Sequence, residues 1–390
     1  MGVAEQLVER ARRHGPVPVD AVVEAALYDP AGFYETGGAA GRSGGDYLTS
    51  VEVGPLFGAV VARALDGWWR EMGEPDPYVV VDAGAGPGTL CRTVLAARPD
   101  CARALRYVMV ERSAAQRARH AERIALEEPA LAFAPVHPDT EQTAAGLATG
   151  PICVSLARLP RVKGPAVVIA NELLDNMPFG LAERRSGRWH EVRVGWDEGS
   201  PAATAVAAGS GGGRFVERLV PLDDERAALL DRLVPEAPEG ARAPMQAAAR
   251  RWLREARAVA GNGGRVVVAD YAATTADMAC RPQDQWLRTY RGHSPGGPWL
   301  GGLGSQDVTC EVAVDQLALV RPPVSDRLQA DWLHHWGLGD LVEEGRRAWA
   351  AGASAPDVAA LTGRSRLSEA AALTDPNGLG AFRVLEWPGT

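Results

Sequence analysis

Seven residues carry the strongest chemical signal in this chain. Asp82-Ala83-Gly84-Ala85-Gly86-Pro87-Gly88 follows the apolar run Val79-Val80-Val81 and leads straight into helical spacing. Glycines there let the backbone turn sharply between a strand and a helix and approach a ligand closely. Such a turn serves several nucleotide cofactors, so by itself it does not identify one. Glu111 closes the next apolar run, Arg106-Tyr107-Val108-Met109-Val110. A carboxylate at that strand end can accept hydrogen bonds from both hydroxyls of a ribose. The competing reading is a tight turn followed by a surface acid, and it needs strand, turn, helix and acid to fall in this order by coincidence.

The elements that must position these residues are legible in outline. The chain has 390 residues, 46% hydrophobic and 23% charged, enough for one large α/β domain with insertions or for two domains. That apolar content excludes a wholly disordered chain. With 41 basic against 49 acidic residues, a formal charge of −8 and no long Lys/Arg run, neither nucleic acid nor an anionic membrane is an expected partner. A cationic substrate is compatible with it. Cys91, Cys101, Cys153, Cys280 and Cys310 are scattered with no C-x-x-C pair, which predicts reduced structural thiols and no zinc site. His334 and His335 have no partner at metal spacing, so no metal is expected. No apolar run approaches the ~20 residues of a spanning helix. The first residues, MGVAEQLVERARRHGP, read as a charged amphipathic helix and not as a signal peptide, and a cytoplasmic location is expected.

Along the chain, 3–13 and 19–28 predict short helices, and a helix follows over about 56–72 with Leu56, Val60, Val61, Ala64, Leu65, Trp68 and Trp69 on one face. Strands are predicted near 79, 106–113, 151–160 and 164–175, alternating with helices, which indicates a parallel sheet covered on both faces. The pattern then breaks. Residues 188–196 alternate like an antiparallel strand, 199–213 are a low-complexity linker, and 214–220 can pair back. A helix over 245–260 leads to a further core strand at 264–272. The organisation expected is an N-terminal segment (1–77), a core (78–180), an insertion (181–262) and the rest of the core (263–390).

Taken in order, the segments ALYDPAGFYETGG and GRSGGDYLTSVEVGPLFG (within 26–58), the glycine turn, ANELLDNMPFG (170–180), LRTYRGH (287–293), GSQDVTCEVAVDQL (304–317) and DPNGLGAFRVLEW (375–387) resemble the MidA-like family of class I S-adenosylmethionine-dependent methyltransferases. The resemblance spans nearly the whole chain. It implies a Rossmann-like α/β fold with a mostly parallel seven-stranded sheet, an N-terminal helical extension and an inserted β-ribbon and helical subdomain. It also implies S-adenosyl-L-methionine as donor, S-adenosyl-L-homocysteine as product, and an arginine guanidino nitrogen as acceptor, in free arginine or in a protein or peptide. By matching position, Asp82, Gly84, Gly86, Gly88, Glu111, Thr49, Ser50, Asn171, Ser155 and Leu156 would bind cofactor. Tyr34, Glu52, Tyr290 and Arg291 would contact the acceptor. The chain departs from the family at Phe33-Tyr34, at Leu173-Leu174 and at Asn176-Met177, all on the acceptor side.

Such chemistry has definite needs. A guanidinium stays protonated to a pKa above about 12, so its nitrogen attacks a methyl group only when held in line with its charge stabilised. Paired carboxylates can grip it in a bidentate fork. Glu172 and Asp175, three apart beyond a strand, would face one side if the chain turned helical there, with Asp46 as alternate clamp and His293 as proton acceptor. Trp286 and Trp299 read either as an aromatic wall over a cation or as packing anchors, and apolar residues of the insertion either as a homodimer surface or as core. Methylation of another small metabolite at O or N, and a non-catalytic assembly role on the same fold, are the alternative functions.

Overall fold

The structure, a computed structural model, describes residues 1–38, 49–133, 150–198, 213–292, 294–353 and 357–390. Asp46, His293 and residues 199–212 of the low-complexity stretch lie outside these. Two N-terminal helices, Val3–His14 (α1) and Val19–Tyr28 (α2), bury Val3, Leu7 and Ala11 and then Val19, Val22, Val23, Ala26 and Leu27. The three- and four-residue spacing of these positions keeps them on one face of each helix. Pro55–Glu71 (α3) begins with proline, whose missing N–H is not needed in a first helical turn.

The core follows. Tyr78–Ala83 (β1) passes through the glycine turn into Thr89–Ala96 (α4), then come Leu105–Val110 (β2), Ile152–Leu156 (β3) and Ala166–Asn171 (β4). Gly180–Arg185 (β5), Arg188–Asp197 (β6), Arg214–Pro221 (β7) and Arg242–Met245 (β8) form the interruption. Ala247–Ala260 (α5) leads to Arg265–Asp270 (β9), and Leu287–Arg291 (β10) and Asp307–Cys310 (β11) make a hairpin-like pair. The chain closes with Ser325–Leu328 (β12), Gln329–His335 (α6), Leu338–Gly352 (α7), Val358–Leu373 (α8) and Arg383–Pro388 (β13).

Seven of these strands form one sheet in the order β12-β13-β9-β4-β1-β2-β3. The five from β9 to β3 pair in parallel, while β13 runs antiparallel to both β9 and β12, so the sheet is mixed. All six residues of β1 are buried. Tyr78 and Val80 share a core with Val60, Leu65 and Trp68 of α3 and with Leu90 and Val94 of α4. Val79 and Val81 point into the opposite core, with Leu253, Ala256 and Ala260 of α5. That period-two division covers both faces and explains the unbroken β-branched runs. From β1 the chain steps outward through β2 and β3, then returns to β4 on the other side of β1. Loops leaving β1 and β4 therefore diverge at their carboxyl ends, the position where open α/β sheets form a ligand crevice.

A second sheet holds the interruption. β6 pairs antiparallel with β5 and β7, and β5 also with β8. Residues Val17–Pro18 pair with β6, so the N-terminal segment is joined to the inserted strands. Leu7, Val22, Leu27, Leu181, Val192, Trp286 and Val308 share one core. The fully buried Trp286 is thus a packing anchor. Trp299 donates from Nε1 to Glu217 Oε1 at 3.1 Å, which places its polar edge on the ribbon. The helix expected over 245–260 starts two residues later, because Met245 is taken up in pairing with Gly180.

Helices α3 and α4 meet through Gly58, where a Cβ would collide with the Thr93 side chain and lie 3.0 Å from its backbone carbon. Because α4 opens from the glycine turn, this contact supports the turn as well as the core. Gly58→Ala is expected to destabilise the protein by about 1–3 kcal/mol through overpacking. Gly339→Ala, where an added Cβ meets nothing within 4 Å, is expected to be neutral or stabilising by up to about 1 kcal/mol. Denaturant midpoints of the two variants measure both.

Candidate active site

Gly84, Gly86 and Gly88 have φ of +74°, +52° and +82°, in the left-handed region that favours glycine. They differ in their surroundings. A Cβ on Gly84 would lie 2.8 Å from Leu173 Cδ1, and one on Gly88 would lie 3.1 Å from Ile124 Cδ1, while one on Gly86 would meet nothing within 4 Å. Gly84 and Gly88 thus permit close packing, and Gly86 borders open space. That space is a cavity of about 720 Å³ at the carboxyl ends of β1, β2 and β4, within the roughly 300–1,000 Å³ of small-molecule sites.

Of the residues singled out in the sequence, Tyr34, Thr49, Glu52, Asp82, Gly84, Gly86, Glu111, Asn171 and Glu172 line this cavity. The others do not. Gly88 stands behind the turn as the residue preceding α4. Ser50 is fully buried, donating from its backbone N–H to Glu172 Oε1 at 2.7 Å and from Oγ to Gln329 at 3.0 Å. Ser155 bonds His120, and the Leu156 carbonyl accepts the Glu111 N–H. Both are still committed to β3 contacts, so the wall there is built by the next residues, Ala157, Arg158 and Leu159. Tyr290 and Arg291 belong to β10, where Tyr290 pairs with β11 and both pair with Ser294–Pro295, and neither is among the residues that line the cavity. Asp46 and His293 lie outside the described residues.

The expectation for the acids after β4 needs a correction. The chain does not turn into an α-helix there. Glu172 has a φ of +51° and a short 3-10 turn, Leu174–Asn176, follows. A left-handed glutamate is strained backbone of the kind that concentrates at functional sites. Glu172 consequently reaches the cavity, whereas Asp175, 6% exposed, lies beneath its floor and accepts from Thr309 Oγ1 at 2.6 Å.

Around these two the structure gathers acids that sequence reasoning missed. Asp270 accepts from the Leu174 N–H at 3.0 Å, and Asp307 accepts from Asn176 Nδ2 at 3.0 Å and from the Tyr34 hydroxyl at 3.3 Å. Among the described residues, none of the four carboxyls has an ion pair with Arg, Lys or His. Burial pushes Glu172 up to about 8 and Asp175 up to about 6; for Glu172 the neighbouring charge of Asp175 adds to the rise. Burial raises Asp307 to about 8 and Asp270 well above the carboxylate range, the Asp175 charge adding to both. Asp270 ends a strand as Glu111 does, a signal that could have found it; Asp307 sits within the quoted segment 304–317 but carries no local signal.

On the cofactor side, Glu111 accepts from the N–H groups of Gly86 (2.9 Å) and Ser113 (2.7 Å), one to each oxygen. Those two bonds offset part of the upward shift that burial imposes on it. Each oxygen keeps a lone pair for a ribose hydroxyl. Asp82 is 2% exposed, accepts from the Tyr107 hydroxyl at 3.0 Å, and is pushed up to about 7 by burial. Thr49 Oγ1 and Asn171 Oδ1, both buried, have no hydrogen-bond partner among the described residues. Buried polar atoms without partners are uncommon in folded proteins, and two on one cavity wall are explained by a polar ligand. The acceptors, the open backbone at Gly86 and the free lone pairs of Glu111 fit an adenosyl cofactor carrying an amino acid.

The raised Glu172 has a consequence for stability. Its carboxyl ordinarily titrates at 4.5 and here at about 8, so the folded state binds a proton more tightly than the unfolded chain. The resulting stability is fully present below about pH 4.5 and is lost as pH rises through about 8. Glu172→Gln is therefore expected to melt higher than the parent at pH 9 and at a closely similar temperature at pH 4.5, as thermal denaturation at the two pH values will show.

Comparison with known proteins agrees with this geometry. Residues 60–323 match the family described as "putative S-adenosyl-L-methionine-dependent methyltransferase". The Drosophila melanogaster protein named protein arginine methyltransferase NDUFAF7 homolog, mitochondrial, is 31% identical over 49% of this chain and 44% of its own length. The Rattus norvegicus protein arginine methyltransferase NDUFAF7, mitochondrial, is 26% identical over 50% of this chain and 46% of its own length. These matches span less than half the length of either relative. A crystal structure of a Burkholderia thailandensis protein bound to S-adenosyl-homocysteine superposes with a TM-score of 0.77 at 24% identity, covering 98% of this chain and 91% of that one, which establishes a shared fold. With more than half of its length matched by the family and its glycine turn, strand-end acid and crevice arranged as described, the chain belongs to the MidA-like family of S-adenosylmethionine-dependent methyltransferases.

Proposed function

We propose that this protein transfers a methyl group from S-adenosylmethionine to a guanidino nitrogen of arginine. The observation that carries the reading is the set of carboxyls at the cavity, Glu172 on its wall and Asp175, Asp270 and Asp307 beneath, without a basic partner among the described residues. Burying uncompensated acids is costly, and proteins normally pair them. A cation delivered as substrate would complete the set. The names of the curated relatives, protein arginine methyltransferases, support the same acceptor.

Glu111, Asp82, Thr49, Asn171 and the backbone of Gly84 to Gly86 would hold the donor, which when bound supplies an electrophilic methyl on a positively charged sulfur. The rest is done by this chain's own residues. Glu172 Oε1 is held by Ser50 N–H and by Asn171 Nδ2 at 3.0 Å, which leaves Oε2 for a guanidinium N–H. Holding the acceptor there replaces a bimolecular encounter with a positioned one, an effect of up to roughly 7–11 kcal/mol on the barrier. Asp175, raised only to about 6, supplies negative charge beneath the floor, and an arriving cation would favour the ionised forms of Asp270 and Asp307, which burial otherwise keeps protonated. A guanidinium loses a proton once methylated, and a carboxyl at about 8 is matched to accept it near neutral pH. Tyr34, stacked on Tyr28 with centroids 5.6 Å apart on the same cavity, adds aromatic surface, while the Tyr28 ring already carries the Arg112 guanidinium 4.3 Å from its centroid.

Incubation with labelled S-adenosylmethionine and either free L-arginine or an arginine-containing peptide tests the reading, and label in neither product would remove arginine as the acceptor. Glu172→Gln is expected to lower methyl transfer about a hundredfold while the affinity for S-adenosylhomocysteine changes less than about threefold, as calorimetry alongside the assay will show. Since Glu172 is protonated below about 8, the parent's rate under subsaturating acceptor should climb from pH 6 to pH 9, and the variant's profile should lose that limb.

A further inference from the structure

We propose that His120 is a positioning residue for the cofactor: through Gly86 and Ser155 it fixes the glycine turn against the end of β3 and thereby sets the affinity for the adenosyl group. The proposal rests on reading the cavity as an S-adenosylmethionine site and concerns a residue that no sequence motif marks.

His120 is fully buried. Its Nε2 lies 2.8 Å from the Gly86 carbonyl oxygen and its Nδ1 lies 2.8 Å from Ser155 Oγ. A carbonyl only accepts, so Nε2 carries the hydrogen; in the neutral ring Nδ1 then accepts, and the Ser155 hydroxyl donates to it. Burial, with Arg117 and Arg123 nearby, lowers the His120 pKa, in keeping with a neutral ring. The N–H of Gly86 is held in turn by Glu111. Both backbone polar groups of this residue are therefore fixed from outside the turn, one from the end of β2 and one from β3 by way of the histidine.

Gly86 is the turn glycine that needs this. Gly84 and Gly88 are confined by neighbours within 3.1 Å of a Cβ position, but nothing lies within 4 Å of that of Gly86. A glycine beside open space populates left- and right-handed backbone about equally, so without external bonds its peptide would sample several orientations. The two hydrogen bonds take the place of packing. A turn preset in one conformation spares the ligand the cost of ordering it, which appears as affinity.

Calorimetry with S-adenosylhomocysteine on the full chain, with melting temperatures recorded in parallel, tests this. His120→Leu keeps the apolar bulk and removes both bonds, and is expected to raise Kd about tenfold or more. His120→Gln places an amide N–H within reach of the Gly86 carbonyl and should stay within about threefold of the parent. Ser155→Ala, which leaves the ring unlocked, should fall between them. A histidine that only stabilises the fold would lower melting temperature in all three and leave Kd of the folded protein unchanged. Parental Kd in a folded His120→Leu overturns the proposal, and if that variant does not fold, parental Kd in Ser155→Ala overturns it. A parent protein that binds no S-adenosylhomocysteine overturns the cofactor reading and this inference together.

Discussion

Acidic side chains held out of water without a resident counter-ion are the constraint on which this structure turns. Glu172, Asp175, Asp270 and Asp307 come from three separate parts of the chain, and their burial raises every one of them above its ordinary value. A fold optimised only for stability would replace such acids or pair them with arginine. Here the chain has 41 basic residues and places none of those described in an ion pair with these four. The strained φ of Glu172 belongs to the same pattern, since a relaxed backbone would not carry its carboxyl to the cavity wall.

Everything else in the core serves to bring that acid face to the cofactor crevice. The parallel strands β1 and β4 end level with one another, so the turn after one and the acid after the other face across the switch point. Helices α3 and α4 close the first face of the sheet and α5 the second. The N-terminal segment contributes Tyr28, Tyr34, Thr49 and Glu52 to the wall, which makes it part of the site and not an appendage. Glu52 accepts from Thr89 Oγ1 at 2.6 Å, linking that segment to the helix that leaves the glycine turn.

The framework was legible in the sequence because its signals are local. Strands β1 and β4 are continuous apolar runs since both faces are covered, and the turn is glycine-rich since its φ values demand it. Glu111, Glu172 and Asn171 could be placed because each ends such a run. What could not be read depends on long-range contacts. Tyr34 and Asp307 meet across 273 positions and Ser50 and Gln329 across 279, so no spacing encodes either pair. The placing of Asp175 beside Glu172 fails because a three-residue interval implies a shared face only in a helix, and the chain there makes a left-handed residue and a 3-10 turn. Ser155, given to the cofactor by its match to the family, has its hydroxyl engaged by His120, 35 residues earlier.

The most direct measurement is a crystal structure of the protein with S-adenosylhomocysteine and an arginine-containing acceptor together. The account predicts the adenosyl ribose on Glu111 and a guanidinium within about 3 Å of Glu172, over the buried aspartates. An adenosyl group lodged elsewhere, or an acceptor bound with Glu172 still facing empty solvent, would contradict it.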